Sequence, residues 1–332
     1  VVWRKTLFAA LIACLASCED RRQIATPTSP PSTPPARDAG SGSNDGWGDP
    51  TTTRRAGILR IAHLNVRRYF DTTCESGSCE AGGFEEVVTE KQFADRTAEL
   101  AAGLARLEAD VITLAEVENQ GCLDALQAKL KESGAEYPVA YVAETGAPGS
   151  IDVAVLARGK LNRVRTHRKE TAPLIRPDGS ETIFTRELPE VHLTIGDSTV
   201  IVFAAHFRSK SNDDPGRRLA EARKTQEVVV AAGLANTGAL VLLGGDLNDV
   251  PGSEPLQALE KDGALVRVLA ELPPAEQGTY RFGGELQAID HLFVTAARAT
   301  AYVPNSGKVM GERNGGFAGS DHKAIYADFT LP

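Results

Sequence analysis

Aromatic residues are scarce, at 6% of the 332 residues. No aromatic cluster or apolar hairpin of the kind that dips into lipid stands out. Long apolar runs are missing as well. The best candidate, Thr6 to Ala16, is too short to cross a bilayer comfortably. Positive charge is in deficit: 36 Lys and Arg face 44 Asp and Glu, a formal net charge of −8. That balance argues against a nucleic-acid coat protein or a polybasic membrane binder. It leaves phosphate chemistry open, because a bound metal and a local basic rim can hold phosphate on an acidic protein. Only five cysteines occur, and no second Cys or His pair accompanies Cys74 and Cys79 in zinc-site spacing. There is no internal repeat and no second linker beyond Gly57, so one large domain is expected from residue 57 to residue 332.

The front end has a different character. Arg4 and Lys5 precede the short apolar run, which ends in Leu15-Ala16-Ser17-Cys18. This pattern resembles a bacterial lipobox, with residues 1–17 as a lipoprotein signal peptide and Cys18 as the acylated first mature residue. The resemblance implies export and a lipid anchor in the bacterial cell envelope, at the outer membrane or cell surface. Residues 18–56 are rich in Pro, Ser, Thr, Gly and Asp and have no apolar period, so a disordered tether is expected. In an exported protein Cys74 and Cys79, four residues apart in a polar loop, read as a local disulfide; two free thiols are the alternative. Cys122 is left over and is expected to be buried.

From Gly57 the chain alternates strand and helix patterns. Strands are predicted over Ile58–Leu64, Asp110–Ala115, Val139–Val142, Asp152–Leu156, Ala239–Leu243, Ile289–Val294 and Lys323–Thr330. Pro189–Ile195 and Thr199–Ala205 suggest an antiparallel pair across Gly196-Asp197. Phe93, Thr97, Leu100, Leu104 and Leu107 fall at helical spacing, and Leu123–Leu130 and Arg217–Leu234 also read as helices. Many strands with few helices predict an α/β domain of sheets packed face to face with helices outside.

Polar side chains sit where these strands begin or end. Asn65 follows the first strand, Glu116 ends VITLAEV, and His206 ends VIVFAAH. Asp246 and Asn248 close VLLGGDLN, Asp290 and His291 open IDHLFV, and Asp321 and His322 precede KAIYADF. Singly, each reads as a turn cap, a solvated carboxylate or a satisfied histidine. Together they describe a rim on which a rigid scaffold could hold reacting groups.

The pieces IAHLNVR, DVITLAEVE, FAAHFRSK, LLGGDLND, IDHLFV and GSDHKAIYADF, in this order, resemble the endonuclease/exonuclease/phosphatase superfamily, whose members include DNase I, exonuclease III and neutral sphingomyelinases. The resemblance implies a DNase I-like four-layer α/β sandwich, two packed mixed sheets flanked by helices. It implies a Mg²⁺ ion, with Mn²⁺ or Ca²⁺ as alternatives, held by Asn65 and Glu116, with Asp321 beside it or holding a second ion. It implies that Asp246 and Asn248 orient water and phosphate, that Asp290 and His322 form an acid–base pair, and that His206 is a second catalytic histidine, with Asp152 orienting it. Arg186, in FTRELPEV, matches the strand on which DNase I-like members place a phosphate-binding arginine. Arg67 fits the same branch, where exonuclease III-like members carry an acidic ligand. Arg208, Lys210, Arg217 and Arg218 could form a phosphate-binding rim, or a solvated loop leading into a helix. The expected function is metal-dependent phosphodiester hydrolysis by a monomer, on nucleic acid outside the cytoplasm. Lipid or small phosphoesters and a non-catalytic binding role are the alternatives, since one metal centre serves many leaving groups.

Overall fold

The computed structural model describes residues 56–332, apart from 81, 170, 171 and 314. The leader, Cys14, Cys18 and all but the last residue of the tether lie outside the described residues. In chain order the elements are β1 (Ile58–Tyr69), α1 (Glu90–Arg106), β2 (Val111–Val117), α2 (Gln120–Glu132), β3 (Val139–Ala143), β4 (Asp152–Ala157), β5 (Lys160–Arg165), β6 (Leu174–Ile175) and β7 (Glu181–Thr182). They continue with β8 (Glu190–Ile195), β9 (Ser198–His206), α3 (Pro215–Ala235), β10 (Leu240–Asp246), α4 (Glu254–Glu260), β11 (Leu265–Arg267), β12 (Tyr280–Phe282), β13 (Glu285–Gln287), β14 (Asp290–Thr295), β15 (Lys308–Met310) and β16 (Ala324–Thr330).

Two six-stranded mixed sheets result, ordered β15-β16-β1-β2-β4-β3 and β11-β14-β10-β9-β8-β5. Each has a parallel pair at its centre, β1 with β2 and β9 with β10, and the connection within each pair carries a helix, α1 or α3. Alternation along the strands sorts the side chains into layers. Leu59, Ile61, Val200, Val202, Leu240, Leu242, Leu292 and Val294 fill the space between the sheets. Ala62, Leu64, Ile112 and Leu114 face outward onto Leu100, Leu104, Leu123 and Leu126 of α1 and α2. Ile201, Phe203, Val241 and Leu243 face outward onto Ala222 and Val229 of α3 and Leu256 of α4. The four-layer sandwich is therefore the observed architecture.

The helix starts follow local chemistry. Thr89 and Gln92 form a capping box on α1, Asn119 caps the Cys122 amide of α2, and Asp214 caps the Arg217 amide of α3 just before Pro215. Some elements differ from expectation, the short strands β6, β7, β11, β12, β13 and β15 among them. The first strand runs on to Tyr69 through an irregularity between Asn65 and Tyr69. The edge strand β5, KLNRVR, went unread because it is polar and mostly exposed, with no apolar pattern to reveal it. Cys74 and Cys79 are disulfide-bonded in the loop after β1, and Cys122 is a buried free thiol.

Candidate active site

The inner-face alternation that buries Leu59 and Ile61 continues to His63 and Asn65 at the end of β1. The same parity places His206 after Val202 and Ala204, Asp246 after Leu242 and Gly244, and Asp290 before Leu292 and Val294. Asp246 pairs directly with His206 on one side and Asp290 on the other. All these groups meet at one edge of the sandwich, where the central parallel strands end. The two glycines before Asp246 allow the approach. A Cβ at Gly244 would stand 2.7 Å from Thr113 Oγ1 on the facing sheet, and one at Gly245 would stand 2.2 Å from Ala205 O on the neighbouring strand.

Glu116 reaches the same edge by a different route. It has φ of 68°, and Arg67 and Arg68 opposite it have 54° and 48°. The register between β2 and β4 shifts at this point. These left-handed residues re-aim the ends of β1 and β2 and hold backbone strain beside the site. The Asn65 amide donates to Glu116 Oε1 at 3.1 Å and to Asp246 Oδ2 at 3.0 Å, so it bridges carboxylates from both sheets. Its Oδ1 accepts from the Arg67 backbone amide. Asn248 donates its backbone amide to Asp246 Oδ1 and its side-chain amide to Phe207 O. Ser320 donates to Asn65 O and accepts from the His322 amide, tying the last segment to the first strand.

The two histidines have opposite electrostatic settings. Burial lowers the His322 imidazole's affinity for a proton, but the charge of Asp290 and its 2.9 Å contact with Nδ1, helped by Asp246 and Asp321, lift its pKa to about 10. Burial, then Arg186 and His322, push the His206 imidazole well below the ordinary histidine value. Asp246 is pushed up by burial and by the neighbouring Asp290 charge. Burial opposes ionisation of Asp290 too, but His322 outweighs it and holds that carboxyl well below the usual range. The two imidazoles are thus driven in opposite directions, His322 towards its protonated form and His206 towards its neutral one. Their Nε2 atoms lie 4.0 and 3.8 Å from the same Asp246 Oδ2.

These residues open onto a cleft of about 220 Å³ whose lining includes Arg67, Glu116, His206, Lys210, Asp246 and His322. Asp321 and Asn248 line it as well, and Asp321 stands 3.6 Å from Arg67 Nε. Several sequence expectations change here. Arg186 lies in a bend before β8 rather than on a strand; its Nε donates to Ile151 O, and its charge acts on Glu116 and His206 from behind. Asp152 accepts from Thr145 and Ser150, and none of its hydrogen bonds goes to His206. Of the expected basic rim, Lys210 lines the cleft. Arg208 donates to Asn212 O, Arg217 donates to Ile183 O, and Arg218 is buried between Asp213 and Asp249. His291 faces the outer layer and contacts Asp249 O, and burial lowers its pKa to about 4.

Two contributors went unread in the sequence. His63 lies behind Asp290, and its signal was parity: two residues before Asn65, it had to share the inner face. The β12–β13 hairpin borders the cleft, with Tyr280 stacked on His322 at 4.5 Å between ring centroids. Phe282 is 47% and Leu286 37% exposed, so an exposed apolar hairpin does exist beside the site, against the expectation of none. It was hidden because its strands are only three residues long.

The profile of the Endonuclease/Exonuclease/phosphatase family matches residues 77–322. The chain belongs to this family. No curated protein matches it by sequence. Its fold resembles that of TDP2 from C. elegans, with a TM-score of 0.57 and 17% identity over 82% of this chain and 75% of that one. D. rerio TDP2 in complex with a single-strand DNA product superposes with a TM-score of 0.53 and 19% identity, covering 82% and 98% of the two chains. The human Nocturnin catalytic domain with bound sulfate gives 0.57 and 15% identity, covering 83% and 95%. At these identities the likeness establishes the fold. With the family it makes the protein a phosphoesterase of the endonuclease/exonuclease/phosphatase type.

The family generally depends on a divalent metal, and the donor set here fits one. Asp246, Asp290 and His322 offer ligand atoms within 4.8 Å of one another. Asp290 and His322 are engaged with each other, whereas Glu116 and Asp246 share only the neutral Asn65 amide between them. Hard oxygen donors gathered at the mouth of a cleft suit a Mg²⁺-class ion.

Proposed function

We propose that this family member is a metal-dependent nuclease that hydrolyses phosphodiesters of DNA or RNA outside the cytoplasm. The observation that carries the reading is the pair of histidines flanking one buried carboxylate oxygen, Asp246 Oδ2, in settings that raise the proton affinity of one and lower that of the other. Gaps of 3.8 and 4.0 Å are too long for direct hydrogen bonds and suit a bridging water or phosphoryl oxygen.

Asp246, made more basic by burial and by Asp290, takes the proton from the attacking water, and Asn248 and Asn65 hold that carboxylate in place. His322, kept cationic by Asp290, donates to a phosphoryl oxygen and stabilises the charge that grows there. His206, neutral, donates Nε2–H to the phosphate from the other side. Glu116, with Asn65 and Asp321, would hold Mg²⁺, or Mn²⁺ or Ca²⁺ in its place; when bound, the ion polarises the phosphoryl group and stabilises the leaving oxygen. Lys210 at the cleft wall suits a flanking phosphate, with Arg186 supplying positive potential from behind. The sequence of residues 1–56 supports export and an anchor at Cys18. Cys18→Ala should move the protein from the membrane to the soluble fraction, and unchanged fractionation would reject the anchor.

A second reading has one observation in its favour. Phe282 and Leu286 beside the cleft would suit a lipid phosphoester. The full chain, given supercoiled plasmid, RNA and sphingomyelin vesicles with Mg²⁺, Mn²⁺, Ca²⁺ or chelator, separates the two. Metal-dependent cleavage of plasmid or RNA that is lost in a Glu116→Ala/His322→Ala control supports the nuclease. Turnover of the lipid alone replaces it with the second reading.

A further inference from the structure

His63 sits midway along β1, fully buried behind the residues that line the cleft. Its Nε2 lies 3.2 Å from Asp290 Oδ1, and its Nδ1 lies 3.0 Å from Thr113 Oγ1. The other oxygen of Asp290 is the one that holds His322, at 2.9 Å. Thr113, His63, Asp290 and His322 therefore form one buried row. It crosses from the first sheet, which carries His63 and Thr113, to the second, which carries Asp290.

His63 Nε2 and Asp290 Oδ1 are both buried, and neither makes a well-aligned hydrogen bond to any group among the described residues; each is the other's close polar neighbour, at 3.2 Å. Two buried polar atoms with no alternative, this close together, serve each other. The tautomer follows from the carboxylate end of the row. An ionised Asp290 can only accept, so the ring nitrogen facing it, Nε2, carries the proton, and Nδ1 is left as the acceptor towards the Thr113 hydroxyl at 3.0 Å, which also lies 3.4 Å from Ala62 O. With both oxygens held, Asp290 cannot rotate away from His322. The sheets come close enough for this contact because Gly244 has no side chain against Thr113.

We propose that His63 is a positioning residue for the catalytic pair, fixing Asp290 through its second oxygen and so setting the orientation of the His322 ring. The inference rests on the catalytic reading of His322 given above. It differs from a purely structural histidine, which would affect stability but not the geometry of His322.

The test uses the full chain and the variants His63→Ala, His63→Gln and Thr113→Val. In His63→Ala, kcat on the preferred phosphodiester should fall about 10- to 100-fold, as when an outer partner of a catalytic group is removed, with KM little changed. His63→Gln keeps an N–H directed at Asp290 and should recover most of the loss; Thr113→Val should fall between the two. Independently of turnover, the downfield proton NMR signal of His322 Nδ1–H, assigned by its loss in His322→Asn, should move in His63→Ala and return toward its position in His63→Gln. An unmoved signal in folded His63→Ala overturns the proposal, as do equal losses of kcat in the Ala and Gln variants. If His63→Ala fails to fold, the Gln and Val variants carry the same two readouts. If the wild type cleaves nothing offered, the signal still reports the His63–Asp290–His322 contact, so failure of the catalytic reading is told apart from failure of this one.

Discussion

Single residues here act through one or two contacts that burial makes decisive. His322→Ala should lower kcat by about 10²–10³-fold, the usual weight of a donor that stabilises charge in the transition state, while urea denaturation shows the fold retained. A smaller loss would take the charge-stabilising role from His322. Away from the cleft, burial raises the Glu190 pKa, but His167 and His192, which share that carboxylate, more than offset this and hold it at about 2 against an ordinary 4.5. The folded value is the depressed one, so the contribution is complete above about pH 4.5 and is withdrawn as pH falls toward 2. Glu190→Gln should therefore remove about 2 kcal/mol of the stability that the wild type loses in that window. Urea midpoints at pH 7 and pH 3 check it, and an unchanged acid dependence would mean the two histidines do not hold Glu190 ionised. Singly, the residues were only partly legible. Asn65, Glu116, His206, Asp246, Asp290 and His322 were found because each punctuates an apolar strand. Arg217 and Arg218 looked free, because a string of letters does not show that Ile183 O, Asp213 and Asp249 are within reach.

Elements are held at fixed spacing by features a few residues long. Gly245→Ala would put a methyl 2.2 Å from Ala205 O, and Gly244→Ala one 2.7 Å from Thr113 Oγ1. The first clash is with backbone inside a sheet and the second with a side chain across the sandwich. Each should destabilise by about 1–3 kcal/mol, Gly245→Ala the more, as read by thermal unfolding; neutral effects would show that the strands can separate freely there. The Cys74–Cys79 bond closes a loop with a sequence separation of only 5. Reduction should thus remove only about 2 kcal/mol on chain-entropy grounds, visible as a modest drop in melting temperature with reductant. Regular elements with a strong period were legible: α1, α2, α3 and the central strands all fall where apolar spacing put them. The β12–β13 hairpin and edge strand β5 were not, because pairing with neighbours rather than internal pattern makes them strands.

The whole molecule separates stability from chemistry. Three apolar clusters, one between the sheets and one on each outer face, carry the fold, and the candidate catalytic groups gather at one edge. An ion held at ten times its Kd adds only about 1.4 kcal/mol, and a domain of this size shifts about 2–4 °C per kcal/mol. Chelation should therefore abolish hydrolysis while lowering the melting temperature by no more than about 5 °C. Collapse of the fold on chelation would instead make the metal a structural one.

Period-two and helical apolar patterns were enough to define packed sheets with helices outside, because those features depend on local spacing, while the ordered motifs at the strand ends carried the resemblance that implied the four layers, the family and most of the rim. Only the tertiary structure decided which ends meet. Bulges at Glu116 and Arg67–Arg68 turn side chains off the regular alternation, and Asp290 joins His63 to His322 across two sheets that are distant in the chain. The opposite shifts of His206 and His322 likewise arise only there, since they depend on which charges burial leaves beside each ring.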